Sequence, residues 1–208
     1  MNSEKIYSIL QVHVPLPALE YCYKLWHETP FQLKITRTRQ TKVGDFTSKR
    51  SIAHPRITLN HELNPFLFLI TYIHEVAHLR VHLHYGNRVD PHGDEWKISF
   101  GKLMQPMLDP IVFPDDILNE LKRHMVNPKA SSFGDTALTK VLRLYDKNAA
   151  NYATLSDIPE GSLFHFQGRF FKKGKIRRTR VLCHEVKTKR HYLVPADVLV
   201  SSVQLSLL

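Results

Sequence analysis

Cysteine is nearly absent from this chain of 208 residues. Cys22 and Cys183 stand far apart and neither belongs to a C-x-x-C pair, which argues against a disulfide framework and against a cysteine-based zinc ribbon. Long apolar runs are missing too. The longest, "FLFLI" from Phe66 extended by Thr71, Tyr72 and Ile73, falls far short of the roughly 20 residues that span a bilayer. The opening "MNSEKIYSILQVHVP" has no basic start followed by an unbroken apolar run, so no signal peptide is expected. These absences predict a cytoplasmic protein without a membrane partner. No internal repeat or extended low-complexity tract occurs. Acidic residues are outnumbered, 19 against 29 Lys and Arg, for a formal net charge of +10. That balance favours acidic partners, nucleic acid first among them.

With 43% hydrophobic residues, the chain can fill one good core and a small second unit. Residues 3–11 and 17–28 read as helices, and "FQLKITRTRQ" and "PRITLN" alternate like half-buried strands. "KVGDFTSKRSIAH" between them reads as a third strand or an irregular hairpin. Asn64-Pro65 opens a long helix, with Asn as cap and Pro at the first helical position. It runs to Tyr85 and stops at Gly86. Its first half is apolar on every side, which marks a helix in the middle of a core. Asp94 reads as the cap of a helix over 95–105, and "PDDILNELKRHM" makes another with acids first and bases last. "NPKASSFGDT" is loop and "ALTKVLRLYD" a short helix. After Pro159 the text turns to short alternating segments joined by Gly- and Lys-rich turns, a small all-β unit. The fold class is therefore α+β, with units expected at 1–154 and 155–208.

Residues 70–97 hold five of the thirteen histidines. His74 and His78 lie four apart on the long helix, so their rings share a face and can reach one metal ion at roughly 2.0–2.1 Å. Glu75 lies about 100° round the helix from His74, close enough to approach a water on that ion without ligating it. This is the H-E-x-x-H arrangement of zinc peptidases: the ion acidifies the water and polarises the scissile carbonyl, and the glutamate relays the proton. Chance alone would produce the motif in a chain of this composition with a frequency on the order of 3%. A lone histidine on a buried face is usually a satisfied core residue, but a pair flanking a glutamate fits that account poorly.

A catalytic site needs a third protein ligand. His82 is another step of four along, but His78/His82 would have Leu79 where the base belongs. His84 points elsewhere. His92 is the better candidate, since the turn "YGNRVDP" can bring the chain back beside the helix. Asp90, Asp94 and Glu95 are alternatives, although an Asp just before a helix is more often a cap.

"HEVAH" followed by "PHGDEWK", with "ITLNHELNPFLFLITYI" upstream, resembles the SprT-like metallopeptidases, the group that includes the eukaryotic protease Spartan. The resemblance covers about residues 10–125. It implies one catalytic Zn²⁺ held by His74, His78 and His92, with Glu75 as general base. It further implies a minimal zincin fold whose strand near Ile57–Asn60 edges the substrate cleft. Spartan degrades proteins crosslinked to DNA. Many family members end in a four-cysteine zinc ribbon. Here only Cys183 lies in that region, so no second zinc is expected and a metal-free β unit stands in its place.

That unit carries "RFFKKGKIRRTR", in which Arg169, Lys172, Lys173, Lys175, Arg177, Arg178 and Arg180 occur without an acid. Phe164, Phe166, Phe170, Phe171 and Tyr192 are interleaved. Basic charge with aromatics suits phosphate contact and base stacking on DNA or RNA. The competing account makes the aromatics the core of the unit and the charges its solvated face. Function then divides between a zinc endopeptidase acting on proteins near nucleic acid and a non-catalytic zinc-stabilised nucleic-acid-binding or adaptor protein. An intact Glu75 favours the first, since a structural site has no use for a base. A zinc deaminase fits poorly, because its H-x-E and P-C-x-x-C pattern is absent.

Overall fold

A computed structural model describes residues 2–37, 43–48, 54–129, 135–147, 152–166, 168–196 and 198–202. The chain forms two compact units, Met1–Asp146 and Lys147–Leu208. The division falls before the expected 154/155 because strand β4 (Tyr152–Thr154) pairs with β9 (Leu199–Ser202) and so belongs to the second unit. The protein is mixed α+β, and no helix among the described residues is long and apolar enough to cross a membrane.

In the first unit, helices α1 (Ser3–His13) and α2 (Leu19–Glu28) precede a three-stranded sheet of β1 (Gln32–Thr36), β2 (Gly44–Thr47) and β3 (Arg56–Asn60). The order is β1-β3-β2, with β3 parallel to β1 and antiparallel to β2. The strand expected to edge the cleft is thus the middle strand. Its amides and carbonyls are used on both sides, and the end strand on that side is β2. Of the stretch "KVGDFTSKRSIAH", only Gly44–Thr47 is a strand among the described residues; 49–53 lie outside them.

Helix α3 (Pro65–Tyr85) runs through the core. Leu67 to Ile70, Tyr72, Ile73, Val76, Ala77 and Leu79 are all buried. Side chains of this size each stabilise by about 1.5–3 kcal/mol when removed from water. The helix starts and stops where the sequence indicates: Asn64 Oδ1 accepts the Leu67 amide at 2.9 Å, and Gly86 takes a left-handed φ of 64°. Asn64 does more than cap. Its Nδ2 donates to the Leu142 carbonyl at 2.8 Å and to Asp146 Oδ1 at 2.7 Å, tying α3 to the end of α6 (Thr136–Arg143).

Helices α4 (Asp94–Met104) and α5 (Asp115–Val126) complete the layer. Asp94 is the first residue of α4 rather than its cap. Gly93 holds the cap position, and no side-chain cap bond forms there. Of the predicted loop 127–136, residues 130–134 lie outside the described residues, and Asp135 caps α6 by accepting the Leu138 amide.

The second unit is a six-stranded sheet ordered β4-β9-β5-β6-β7-β8, with β5 Leu163–Phe166, β6 Arg169–Arg177, β7 Arg180–Glu185 and β8 His191–Pro195. Phe164, Phe171, Val181, Cys183, Val194 and Val200 form its core together with Leu155 and Ile158. The Gly- and Lys-rich stretch after Phe171, expected to be a turn between strands, is mostly strand. β6 carries it up to a tight turn at Arg178, which adopts a φ of 53°.

Replacing Asn64 by Ala removes a cap and takes one of its donors from the buried Leu142 carbonyl and the Asn64 donor from half-buried Asp146. A loss of about 2–4 kcal/mol is expected from these two effects together. Urea denaturation of the full chain measures it, and a change under about 0.5 kcal/mol would show that Asn64 does not secure α3.

Candidate functional site

His74 and His78 project from the same face of α3, and the turn after Gly86 returns His92 to them. The three Nε2 atoms lie 3.1 Å (His74–His78), 3.0 Å (His78–His92) and 3.3 Å (His74–His92) apart. Three nitrogens bound tetrahedrally at roughly 2.0–2.1 Å from one ion would sit about 3.3–3.4 Å from one another. The triangle is within a few tenths of an ångström of that. Three imidazole nitrogens converging on one point fit a cation better than they fit mutual hydrogen bonding, since each neutral ring has only one N–H to give. The three residues are close enough to hold a metal ion.

The rival ligands lie elsewhere. The His82 ring packs on Phe46, with centroids 5.6 Å apart, and exposed His84 packs on Tyr85. Asp90 accepts the Gly93 amide through its backbone carbonyl, closing the turn that carries His92.

Trp96 is the wall of the site. It is fully buried in the first turn of α4, four residues after His92, and its ring centroid lies 4.6 Å from that of His74, 5.5 Å from His78 and 4.8 Å from His92. Phe100 stacks behind it at 5.0 Å. A flat apolar surface against all three rings limits their rotation and keeps water from their rear. Nothing in the local sequence pattern marks Trp96 for this place, because it lies in the first turn of α4 while His92 precedes the helix.

Glu75 is buried, 6% exposed, beside His74. What packs against it is backbone. A Cβ at Gly44, the first residue of β2, would lie 2.7 Å from Glu75 Oε1 and 2.5 Å from Thr71 Cγ2. Gly44 has no positive φ, so here the glycine answers a need for space rather than for an unusual backbone. A single glycine in a strand signals such a close approach, and that signal in "KVGDFT" was available in the sequence. The next residue, Asp45, is the only acid among the causes acting on His78, and it favours the charged form there.

Burial dominates the electrostatics. It pushes the His74 pKa down to about 3, with charge on His78, His92 and His124 acting in the same sense. It pushes His78 down to about 4, helped by His92 and opposed by Asp45. His92 is lowered by burial as well. The imidazoles are therefore neutral, the form that ligates, well below the ordinary histidine value of 6.5.

The residues expected to contact nucleic acid divide into three groups. Lys173 leaves the set. It is 4% exposed, and its Nζ donates to the Ser156 and Ile158 carbonyls, pinning the loop after β4 to the sheet. Arg169 is held within the unit, its guanidinium 5.1 Å from the Tyr192 ring centre, 5.4 Å from that of Phe171 and 3.8 Å from Glu185. Lys172, Lys175, Arg177, Arg178 and Arg180 are exposed. Arg177 and Arg180 face each other across the β6–β7 turn, and like charges in that position destabilise a hairpin unless an anion lies between them. The aromatics divide too: Phe164 and Phe171 are core, while Phe170 is 53% exposed.

Comparison with models of known protein families, with curated proteins and with solved structures finds no match to this chain.

Because the folded metal-free chain keeps these imidazoles neutral, the unfolded chain binds more protons from pH 6.5 down to about 4 for His78 and about 3 for His74. Stability is full above 6.5 and falls as pH drops through that window. Thermal unfolding of metal-free protein should follow that course, and His74→Ala with His78→Ala should flatten it. An equally steep fall in the double variant would place its source elsewhere.

Proposed function

We propose that the chain is a zinc-dependent endopeptidase with a minimal zincin fold, of the SprT-like kind, acting on proteins associated with nucleic acid. One observation carries the reading: three imidazole nitrogens converge within 3.0–3.3 Å beside a buried glutamate. A structural site needs ligands only. A glutamate buried one residue from a ligand, with strand backbone cleared for it at Gly44, has a use in hydrolysis.

His74, His78 and His92 would hold one zinc, and three protein ligands leave a coordination position for water or substrate. The ion, when bound, supplies Lewis-acid chemistry that acidifies water and polarises a carbonyl. Glu75 takes the proton of the attacking water and hands it to the leaving amine. Burial next to Gly44 and Thr71 restricts its carboxylate to a narrow range of positions. An extended substrate pairs with β2, the end strand of the sheet, through main-chain hydrogen bonds, which gives broad preference for unfolded segments. That role passes to β2 because β3 has no free edge.

The exposed cations Lys175, Arg177, Arg178 and Arg180 form no ion pair with a described residue, and they supply the contact with phosphates. Two buried, unpaired thiols, Cys22 and Cys183, suit a reducing compartment such as the cytoplasm.

Glu75→Gln should keep zinc and fold while slowing peptide hydrolysis by about 10²–10⁴-fold. Gly44→Ala should also keep its zinc, and should lower kcat/KM by about 10-fold or more, because the added Cβ displaces the base or the strand that borders it. Zinc content by elemental analysis and hydrolysis of an unfolded protein substrate read both variants. Full activity in Glu75→Gln would overturn the mechanism. A wild type that binds zinc and nucleic acid but cleaves neither free nor DNA-bound protein would favour the adaptor reading.

A further inference from the structure

The second unit presents a sheet face that its own core does not use. Cross-strand register puts Leu163, Lys172, His184 and His191 in one row across β5, β6, β7 and β8. His165 and Phe170 oppose each other in the neighbouring row. Side chains directly opposite or two residues apart share a face, so both rows look away from the core that holds Phe171 and Cys183. On this outer face Phe170 is 53%, Leu193 48% and Val186 41% exposed. Single exposed apolar residues are ordinary, but a phenyl among imidazoles and lysines on one face is a composed surface.

The His165 ring lies 5.1 Å from that of Phe170, and the rings of His184 and His191 lie 4.1 Å apart. The same unit carries a cleft of about 650 Å³, with Leu163, Lys172, His184, Val186 and Lys189 in its lining. Two carboxylates also reach it. Glu185 is taken up by Arg169, Thr188 and Tyr192, which leaves Glu160 at the rim against the two lysines. Gly174 lies in the same wall at the β6 irregularity, where a Cβ would meet the Leu182 carbonyl at 2.6 Å.

We infer that this outer face binds single-stranded nucleic acid, stacking an unpaired base on Phe170 and holding the adjoining backbone with Lys172 and Lys189. The inference rests on the nucleic-acid association proposed above and assigns it a surface and a strand preference. Charge supports it: from Lys147 on, eleven Lys and Arg stand against four acids, and exposed Lys175 and Arg177 continue along the same strand as Phe170, with Arg178 and Arg180 at the turn that follows. Phosphates meet those cations, and only an unpaired base offers its open ring face to the phenyl. A duplex could use the charges but not Phe170. Polyglutamate has charges for the lysines and no ring to stack on Phe170.

Binding of a labelled oligothymidylate of about 20 nucleotides, longer than the ~4–16 that one small β module covers, is compared with a duplex of equal length. Fluorescence anisotropy on the full chain, over a series of salt concentrations, reads both. The single strand should bind more tightly. Phe170→Ala should weaken it by about 5- to 100-fold and leave the duplex unaffected. Lys172→Ser should weaken both and reduce the single-strand salt slope by about 0.7, one phosphate's worth. Phe170 and Lys172 are exposed, so both variants should keep the far-ultraviolet dichroism of the wild type. His165→Ala, which removes the ring beside Phe170, gives a second route to the same loss. Equal affinity for both forms, unchanged in Phe170→Ala, would overturn the outer face as the site while phosphate contact at the hairpin stands. Failure to bind any oligonucleotide, or equal competition by polyglutamate, would overturn the association itself. Neither result depends on zinc or on hydrolysis.

Discussion

The first unit depends on the burial of α3. A helix apolar on nearly every side of its first half has one stable position, the middle of the core, and nothing on it can rotate without exposing several large side chains. His74, Glu75 and His78 follow directly after that half. Their directions are set by packing that lies outside the site, with Asn64 holding the start of the helix through three hydrogen bonds. Two of the three clustered imidazoles are thus placed by a rigid helix, which holds side chains more tightly than a loop does.

Around that helix the site is assembled from parts with different physical reasons. His92 comes from a turn, and Trp96, in the helix that follows it, presses on all three imidazoles. Low dielectric around the rings keeps them neutral, so no proton has to be displaced at physiological pH before they ligate. Gly44 contributes by having no side chain. The backbone of β2, an end strand of the sheet among the described residues, then lies against the carboxylate of Glu75.

The β unit uses alternation to separate two tasks. Phe170 and Phe171 are neighbours in sequence and opposite in fate, because successive side chains of a strand point to opposite faces. Phe171 stacks on Phe164 in the core at 5.6 Å, while Phe170 faces out beside His165. The same alternation separates Lys172, exposed, from Lys173, whose ammonium is spent on two buried carbonyls. A run of cations in sequence is therefore not a patch of cations in space.

Much of this was legible without coordinates. The cap, proline start and glycine stop of α3 are local signals with local causes. So is the spacing that puts His74 and His78 on one face. The mixed α+β class followed from a change of apolar period, from helical in the middle of the chain to alternating near its end. Other features depend on which segments meet, and no local pattern encodes that. The order β1-β3-β2 turned the expected edge strand into a central one, since β2 arrives from a weakly patterned stretch. The pairing of β4 with β9 moved the unit boundary, and the closeness of Gly44 to Glu75 spans thirty-one residues of chain. The sequence by itself determined the chemistry available at the site: two imidazoles a helical turn apart, a carboxylate between them and a third imidazole after a turn. Only the tertiary structure decided that the third ring reaches the other two and that Lys173 is buried. Periodicity places a side chain on a face, whereas its neighbours across the core are chosen by packing.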